Sequence, residues 1–160
     1  MYGAICAIRY DSRMTQVDAL KTEFVLQARV TCDSLVTIGD TKLGKRRLVP
    51  ITGGEFSGPS IEGVVLPGGA DWQLVRPDGV VEIVARYTIR THDQIDISVV
   101  NRGIALYPPH FDRTYVRTTP EFEAPRDSAY AWLNRNIFVG TVEAISRQPL
   151  VVSVRVFKLL

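Results

Sequence analysis

The chain has 160 residues, of which 46% are hydrophobic and 22% are charged, and its formal net charge is +2. This composition is typical of one globular domain and argues against disorder. Charges of both signs are spread along the whole chain, so we expect no nucleic-acid or anionic-membrane partner. No apolar run approaches the roughly 20 residues of a membrane helix, and Arg9 and Asp11 interrupt the short apolar N-terminus. These features predict a cytoplasmic protein.

The start of the chain differs from the rest in its pattern. Met14 begins a second plausible N-terminus, which leads directly into the first convincing strand. We interpret residues 1–19 as an N-terminal extension that is either poorly ordered or the product of an upstream start codon. Residues 20–160 are then a single β-barrel domain.

Alternation of apolar and polar residues is the dominant pattern along the chain. It predicts strands at 24–31, 35–38, 48–56, 61–66, 71–75, 80–90, 94–101, 114–119, 130–142 and 150–160. The stretch 42–47 is interpreted as a loop, 103–113 as the most irregular part of the chain, and Arg76–Gly79 as a type I turn. With almost no helix to cover a sheet edge, closure is favoured over a sandwich. The predicted fold is all-β, a single antiparallel β-barrel of about 8–10 strands with little helix, whose interior is filled or holds one small ligand.

A series of local motifs occurs in a characteristic order from about Leu20 to the C-terminus. They are Arg47–Gly54 (RLVPITGG), Leu66–Gln73 (LPGGADWQ), Asp78-Gly79, Ala85–Thr88 (ARYT), Asn101–Gly103 (NRG), Arg117–Pro120 (RTTP) and Tyr130–Asn134 (YAWLN). In this order the motifs resemble an uncharacterised family of small β-barrel proteins, domain of unknown function 3237, also labelled uncharacterised protein family 0311. The resemblance implies the barrel architecture. Some relatives are cofactor-free ring-forming catalysts in natural-product pathways, but fold and motif order alone do not transfer that activity.

Three side chains are candidates for proton chemistry. Asp71 follows a glycine pair at the start of a predicted strand, where desolvation at a barrel mouth would raise its pKa and suit a general acid or base. The alternative is a turn aspartate that accepts backbone N–H groups. Arg117 and Tyr115 are candidates to stabilise a developing oxyanion. The alternative for Arg117 is a structural ion pair with Glu121, Glu123 or Asp71.

Five further residues are candidates for ligand binding. Alternation places Arg86 and Tyr87 on opposite faces of one strand, so at most one of them lines the barrel. Tyr130, Trp132 and Asn134 share one face of the predicted strand that contains them. Aromatic surface together with an orienting amide is typical of a small-molecule pocket. The alternatives are a surface Arg86 beside a core tyrosine, a Trp132 that fills the core, and an Asn134 that bonds a neighbouring strand.

No motif in the sequence points to a cofactor or a metal. The residues Cys6, Cys32, His92 and His110 have no ligand-like spacing. The glycine pairs lack the following helix and Lys-Ser/Thr of a phosphate-binding loop, and conformational need explains them better. We therefore expect no cofactor and no metal ion.

Three functions fit these observations. The first is a cofactor-independent enzyme of the cyclase, isomerase or lyase type that acts by proton transfer on a small apolar or aromatic substrate. The second is a non-catalytic carrier or sensor that uses the same pocket, and the third is a filled structural barrel. The expected partner is a small-molecule ligand, with no nucleic acid and no membrane, and a homodimer is left open.

Overall fold

A computed structural model describes residues 19–160, so the N-terminal extension lies outside the described residues apart from its last position. The strands are β1 (Thr22–Cys32), β2 (Val36–Thr41), β3 (Gly44–Ser57), β4 (Glu62–Val65), β5 (Gly69–Val75), β6 (Val81–Thr91), β7 (Asp96–Leu106), β8 (Tyr115–Glu123), β9 (Phe138–Arg147) and β10 (Leu150–Leu159). A 3-10 helix at Ala131–Arg135 lies between β8 and β9. No helix in the described range is long and apolar enough to cross a membrane.

The strands pair antiparallel and form a closed ring. The order around the ring is β1-β10-β9-β8-β7-β6, after which β4 and β5 lie end to end between β6 and β3. The ring closes where β3 pairs with β1, for example at Phe56 opposite Ala28. β2 lies outside the ring and forms a hairpin with the first part of β3. The prediction of an all-β antiparallel barrel with little helix is confirmed.

One end of the barrel is filled with large apolar side chains. Strand alternation points them inward, and the 3-10 helix adds one more from the end of the barrel. These side chains are at most 7% exposed and include Phe56, Ile97, Phe122, Leu133 and Phe138. The rings of Phe122 and Phe138 pack edge to face with centroids 5.1 Å apart. Burial of each such side chain contributes about 1.5–3 kcal/mol. We call this region the filled end.

The strand predicted over residues 130–142 is wrong in its first half. Ala131–Arg135 form the 3-10 helix, and β9 begins only at Phe138. Tyr130, Trp132 and Asn134 therefore do not share a strand face. All three lie at the filled end, where Trp132 packs against the core.

Tertiary hydrogen bonds explain why this segment is not extended. The Asn134 side chain accepts from the Ala124 N–H and donates to the Ala124 carbonyl, both at 2.8 Å. The Tyr130 hydroxyl donates to Asp93 Oδ1 at 2.9 Å, which ties the segment to the turn between β6 and β7. Alternation along the sequence carries no information about these contacts.

Part of the predicted loop and part of the stretch predicted to be irregular are strand, and one predicted turn is confirmed. β3 begins at Gly44 and β7 continues to Leu106, so residues 44–47 and 103–106 are extended. The basic start of β3 pairs with β2 on one side and with β5 on the other, so its backbone hydrogen bonds hold it extended. Lys45 is exposed, whereas Arg46 and Arg47 are half-buried. The Gly79 N–H donates to the Arg76 carbonyl at 3.0 Å, as the predicted turn requires.

Candidate functional site

A cavity of about 260 Å³ occupies the barrel opposite the filled end. We call it the lumen cavity. Its apolar wall includes Val30, Ile51, Ile83, Ala85, Val116 and Val152. The polar side chains that line it are Cys32, Arg47, Asp71, Gln73, Tyr87, Asn101 and Tyr107. Leu35 and Tyr107 lie on its rim and are 45% and 42% exposed, so the cavity opens to solvent at this end.

A larger depression of about 680 Å³ lies on the outer surface across β1, β3, β4 and β6. Its charged groups are exposed and form surface ion pairs, such as Arg29 with Glu55 at 3.8 Å and Arg90 with Asp96 at 2.6 Å. Exposed pairs of this kind interact weakly because water screens them. We place the candidate site in the lumen cavity instead, because its polar groups are withdrawn from solvent.

A chain of hydrogen bonds runs along the cavity wall from Arg47 to Asp71. Arg47 Nε donates to Gln73 Oε1 at 2.6 Å, and Gln73 Nε2 donates to Asp71 Oδ2 at 2.5 Å. The register places Arg47 opposite Gln73 on β3 and β5, and Asp71 two residues back on the same face. Because a guanidinium only donates, the orientation of the Gln73 amide is determined, and the group at position 71 must accept.

The second oxygen of Asp71 accepts a backbone N–H where the pairing of β5 with β6 is interrupted. β5 and β6 pair at Asp71–Ala85 and again at Leu74–Glu82, but not between these positions. Within the gap, the Val84 N–H donates to Asp71 Oδ1 at 3.2 Å. Asp71 therefore accepts a backbone N–H, as the structural alternative expects, but from the neighbouring strand and not from the turn before it.

Burial sets the electrostatics of the cavity. Burial raises the pKa of the Asp71 carboxyl, against the opposing effects of the hydrogen bonds from Gln73 and Val84 and of the Arg47 charge. Burial, with a smaller contribution from the Asp71 charge, raises the pKa of the Cys32 thiol to about 11. The phenol pKa of Tyr87 is also raised by burial. Asp71 thus takes up a proton more readily than an exposed aspartate, and each oxygen keeps a lone pair that can hold one.

Asn101 is a cavity residue that sequence reasoning missed. Its side chain is 3% exposed, and Oδ1 has no hydrogen-bond partner within the described part of the chain. The sequence contained an indication of this, because Asn101 alternates in step with the apolar residues Ile97, Val99 and Ala105 and so lies on their face of β7. Arg47 was missed because its segment was interpreted as a loop.

The structure does not bring Arg117 and Tyr115 to the lumen cavity. Their neighbours Val116 and Thr118 point inward, so the pair faces the other side of β8. The Arg117 guanidinium lies 4.7 Å from the Tyr115 ring centroid, and its Nη1 donates to the Val116 carbonyl at 2.8 Å. Neither side chain is placed to stabilise an oxyanion near Asp71.

The predicted ligand-binding residues divide between the two ends and faces of the barrel. Tyr87 lines the lumen cavity, whereas Arg86 is exposed on the outer face of β6. Tyr130, Trp132 and Asn134 lie at the filled end and do not line the cavity. Of the predicted site residues, Asp71 and Tyr87 come together in one place. Among residues 19–160 no group of three His, Cys, Asp or Glu side chains is arranged to hold a metal ion.

The fold and the cavity together define a class, that of small closed antiparallel β-barrels with a polar site in the lumen. Residues 20–159 match the sequence profile of the family described as "Protein of unknown function (DUF3237)", and the chain belongs to this family. A UPF0311 protein from Clostridium acetobutylicum is 36% identical, over 91% of this chain and 98% of that protein.

Solved structures show the same fold. A conserved protein of unknown function from Rhodopseudomonas palustris has a TM-score of 0.82 at 33% identity, over 90% of this chain and 100% of that one. A beta-barrel like protein from Acinetobacter baumannii has a TM-score of 0.72 at 28% identity, over 91% and 100% of the two chains. A protein from Penicillium herquei described as an enzyme has a TM-score of 0.69 over 91% and 98% of the chains. Its 22% identity makes it a likeness of fold alone.

Proposed function

We propose that the chain binds a small, largely apolar organic molecule in the lumen cavity and that Asp71 exchanges a proton with it. The protein would then be a cofactor-independent enzyme of the isomerase, cyclase or lyase type. The observation that carries this proposal is the Asp71 carboxyl, which lines the cavity with a raised pKa. Cavities of about 150 Å³ hold benzene, and a cavity of about 260 Å³ suits a bicyclic molecule.

The proposed chemistry needs only the side chains of the cavity. Ionised Asp71 removes a proton from a carbon next to a ligand carbonyl, and the electron pair moves to the carbonyl oxygen as an enolate. Protonated Asp71 then returns a proton to the same carbon or to another one. The Arg47 charge, linked to Asp71 through Gln73, favours negative charge in the cavity.

Exchange of the α-protons of 2-tetralone in D2O tests the proposal without knowledge of the natural substrate. We expect the protein to bind 2-tetralone and to accelerate the exchange of its α-protons, which proton NMR measures. Asp71→Asn should reduce the acceleration about 100-fold or more, which is the usual contribution of a general base. Ala85→Phe should abolish binding because Ala85 lines the cavity, whereas Thr88→Phe adds the same ring on the outer face of β6 and serves as the control.

A carrier is the second candidate, and one observation favours it. Both Asp71 oxygens already accept hydrogen bonds from the protein, as expected for a carboxyl with a structural role. Binding of 2-tetralone without accelerated exchange would support the carrier. If wild type, Ala85→Phe and Thr88→Phe bound 2-tetralone with equal affinity, a site in the lumen would be contradicted for the enzyme and for the carrier alike.

A further inference from the structure

Asp71, Ala85 and Asn101 form a row across three neighbouring strands. Asp71 lies opposite Ala85 in the pairing of β5 with β6, and Ala85 lies opposite Asn101 in the pairing of β6 with β7. All three line the lumen cavity. Adjacent strands are about 5 Å apart, so the backbone positions of Asp71 and Asn101 are about 10 Å apart, with only a methyl group between them.

The oxygen of the Asn101 amide is an unused acceptor. It is buried, and no group in residues 19–160 donates a hydrogen bond to it. The residues directly opposite it cannot supply one from their side chains, because Ala85 has only a methyl group and Pro120 has an apolar ring and no N–H. The hydroxyl of Thr118, diagonally across β8, does not bond it either. A buried acceptor without a partner destabilises the folded state, because the lost bond to water is not replaced. Native proteins retain few such groups, and each calls for an explanation.

We infer that the ligand carries an O–H or N–H donor that bonds to the Asn101 amide oxygen, which a half-turn of the amide brings into the lumen. The donor lies at one end of a flat apolar ring system that crosses Ala85 towards Asp71. This inference rests on the proposed function, because it names the chemistry of the molecule in the same cavity. The class of ligand is a hydroxylated or N–H-bearing bicyclic compound. Asn101 is then a specificity residue, which selects the donor, and Asp71 acts at the opposite end of the molecule.

Among residues 19–160, Thr118 Oγ1 is the other buried side-chain oxygen without a partner. Thr118 is not among the residues that line the cavity, whereas Asn101 is. A ligand in the lumen therefore reaches the amide and not this hydroxyl.

Two probes with the same ring system test the inference. 2-Naphthol has a donor, and 2-methoxynaphthalene replaces it with a methyl ether. We expect wild type to bind 2-naphthol about fivefold or more tightly in isothermal titration calorimetry, which corresponds to one buried hydrogen bond. Asn101→Leu should remove this preference, whereas Asp71→Asn should retain it. A preference that survives in Asn101→Leu would overturn the inference, because the donor would then be bound elsewhere.

Thermal unfolding separates a ligand-binding amide from a structural one. Since Asn101 Oδ1 has no partner in the described residues, Asn101→Leu should melt at the wild-type temperature or above. A fall of several degrees would show that the amide serves the fold and would overturn the inference. If both probes bind wild type equally, the inference fails while the lumen site stands. If neither binds wild type, the proposed function fails with it.

Discussion

At the scale of a single residue, Asp71 has a structural position in the sheet that is compatible with the proposed proton transfer. Its two oxygens bond Gln73 and Val84, and burial raises its pKa. The sequence was sufficient to single out Asp71, because a carboxyl after a glycine pair is unusual at the start of a strand. It was not sufficient to find Arg47 and Asn101. Arg47 and Asn101 reach the candidate site only through the pairing of β3 with β5 and of β7 with β6, which is a property of the tertiary structure.

The raised pKa of Asp71 predicts a pH dependence of stability. A carboxyl whose pKa is higher in the folded state stabilises the fold fully at low pH, and this contribution is lost as pH rises through the raised value. The free energy of unfolding of wild type, relative to Asp71→Asn, should therefore fall as pH increases from about 3. Urea unfolding at a series of pH values measures this difference.

Asp78 provides a control of opposite sign. The Val80 N–H and Arg76 lower the pKa of this exposed carboxyl. Wild type should gain stability relative to Asp78→Asn as pH rises through the acidic range. If the two variants gave slopes of the same sign, the assignment of a raised pKa to Asp71 would be contradicted.

At the scale of elements, the connection between β8 and β9 was the least predictable part of the chain. Strands with regular alternation and a short turn, such as β5 and β6, were predicted because their pattern is local. The segment around Tyr130 and Asn134 was predicted as a strand from its length and apolar residues, but its contacts with Asp93 and Ala124 make it compact. Local pattern predicts structure where pairing follows the pattern, and it fails where side chains bond backbone from elsewhere.

This role of Asn134 predicts loss of stability without loss of binding. Asn134→Ala leaves the N–H and carbonyl of the buried Ala124 without their partners. We expect the free energy of unfolding to fall by about 1–3 kcal/mol, while the affinity for 2-naphthol stays at the wild-type value. Asn136→Ala removes one exposed bond to Trp132 and should cost about 0.5 kcal/mol or less. A weaker affinity in Asn134→Ala would restore this residue to the ligand site.

Closure is the feature that matters most at the scale of the whole molecule. It was predicted from the absence of helices that could cover a sheet edge, and the pairing of β1 with β3 provides it. Gly54 lies in this pairing with φ of 144°, and a Cβ there would lie 2.2 Å from the Arg29 carbonyl oxygen. The two strands can approach each other because position 54 has no side chain.

Substitution of Gly54 should open the barrel. Gly54→Ala combines backbone strain with a clash against main chain that cannot rotate away, so we expect a loss of more than about 3 kcal/mol. Gly68→Ala is the matched control, since Gly68 has φ of 101° but nothing within 4 Å of an added Cβ. It should lose only about 1–2 kcal/mol. Urea unfolding measures both, and equal losses would mean that close approach at the β1–β3 pairing is unimportant.

The sequence by itself determined most of the strands, the turn at Arg76–Gly79 and the closed all-β architecture. Alternation and turn residues act between neighbours in the chain, so they can be read directly. Only the tertiary structure decided which end of the barrel is filled and which is hollow. It also decided that Asp71, Ala85 and Asn101 lie in one row. These residues come from three strands, and the register that aligns them depends on packing between distant segments, which no local pattern records.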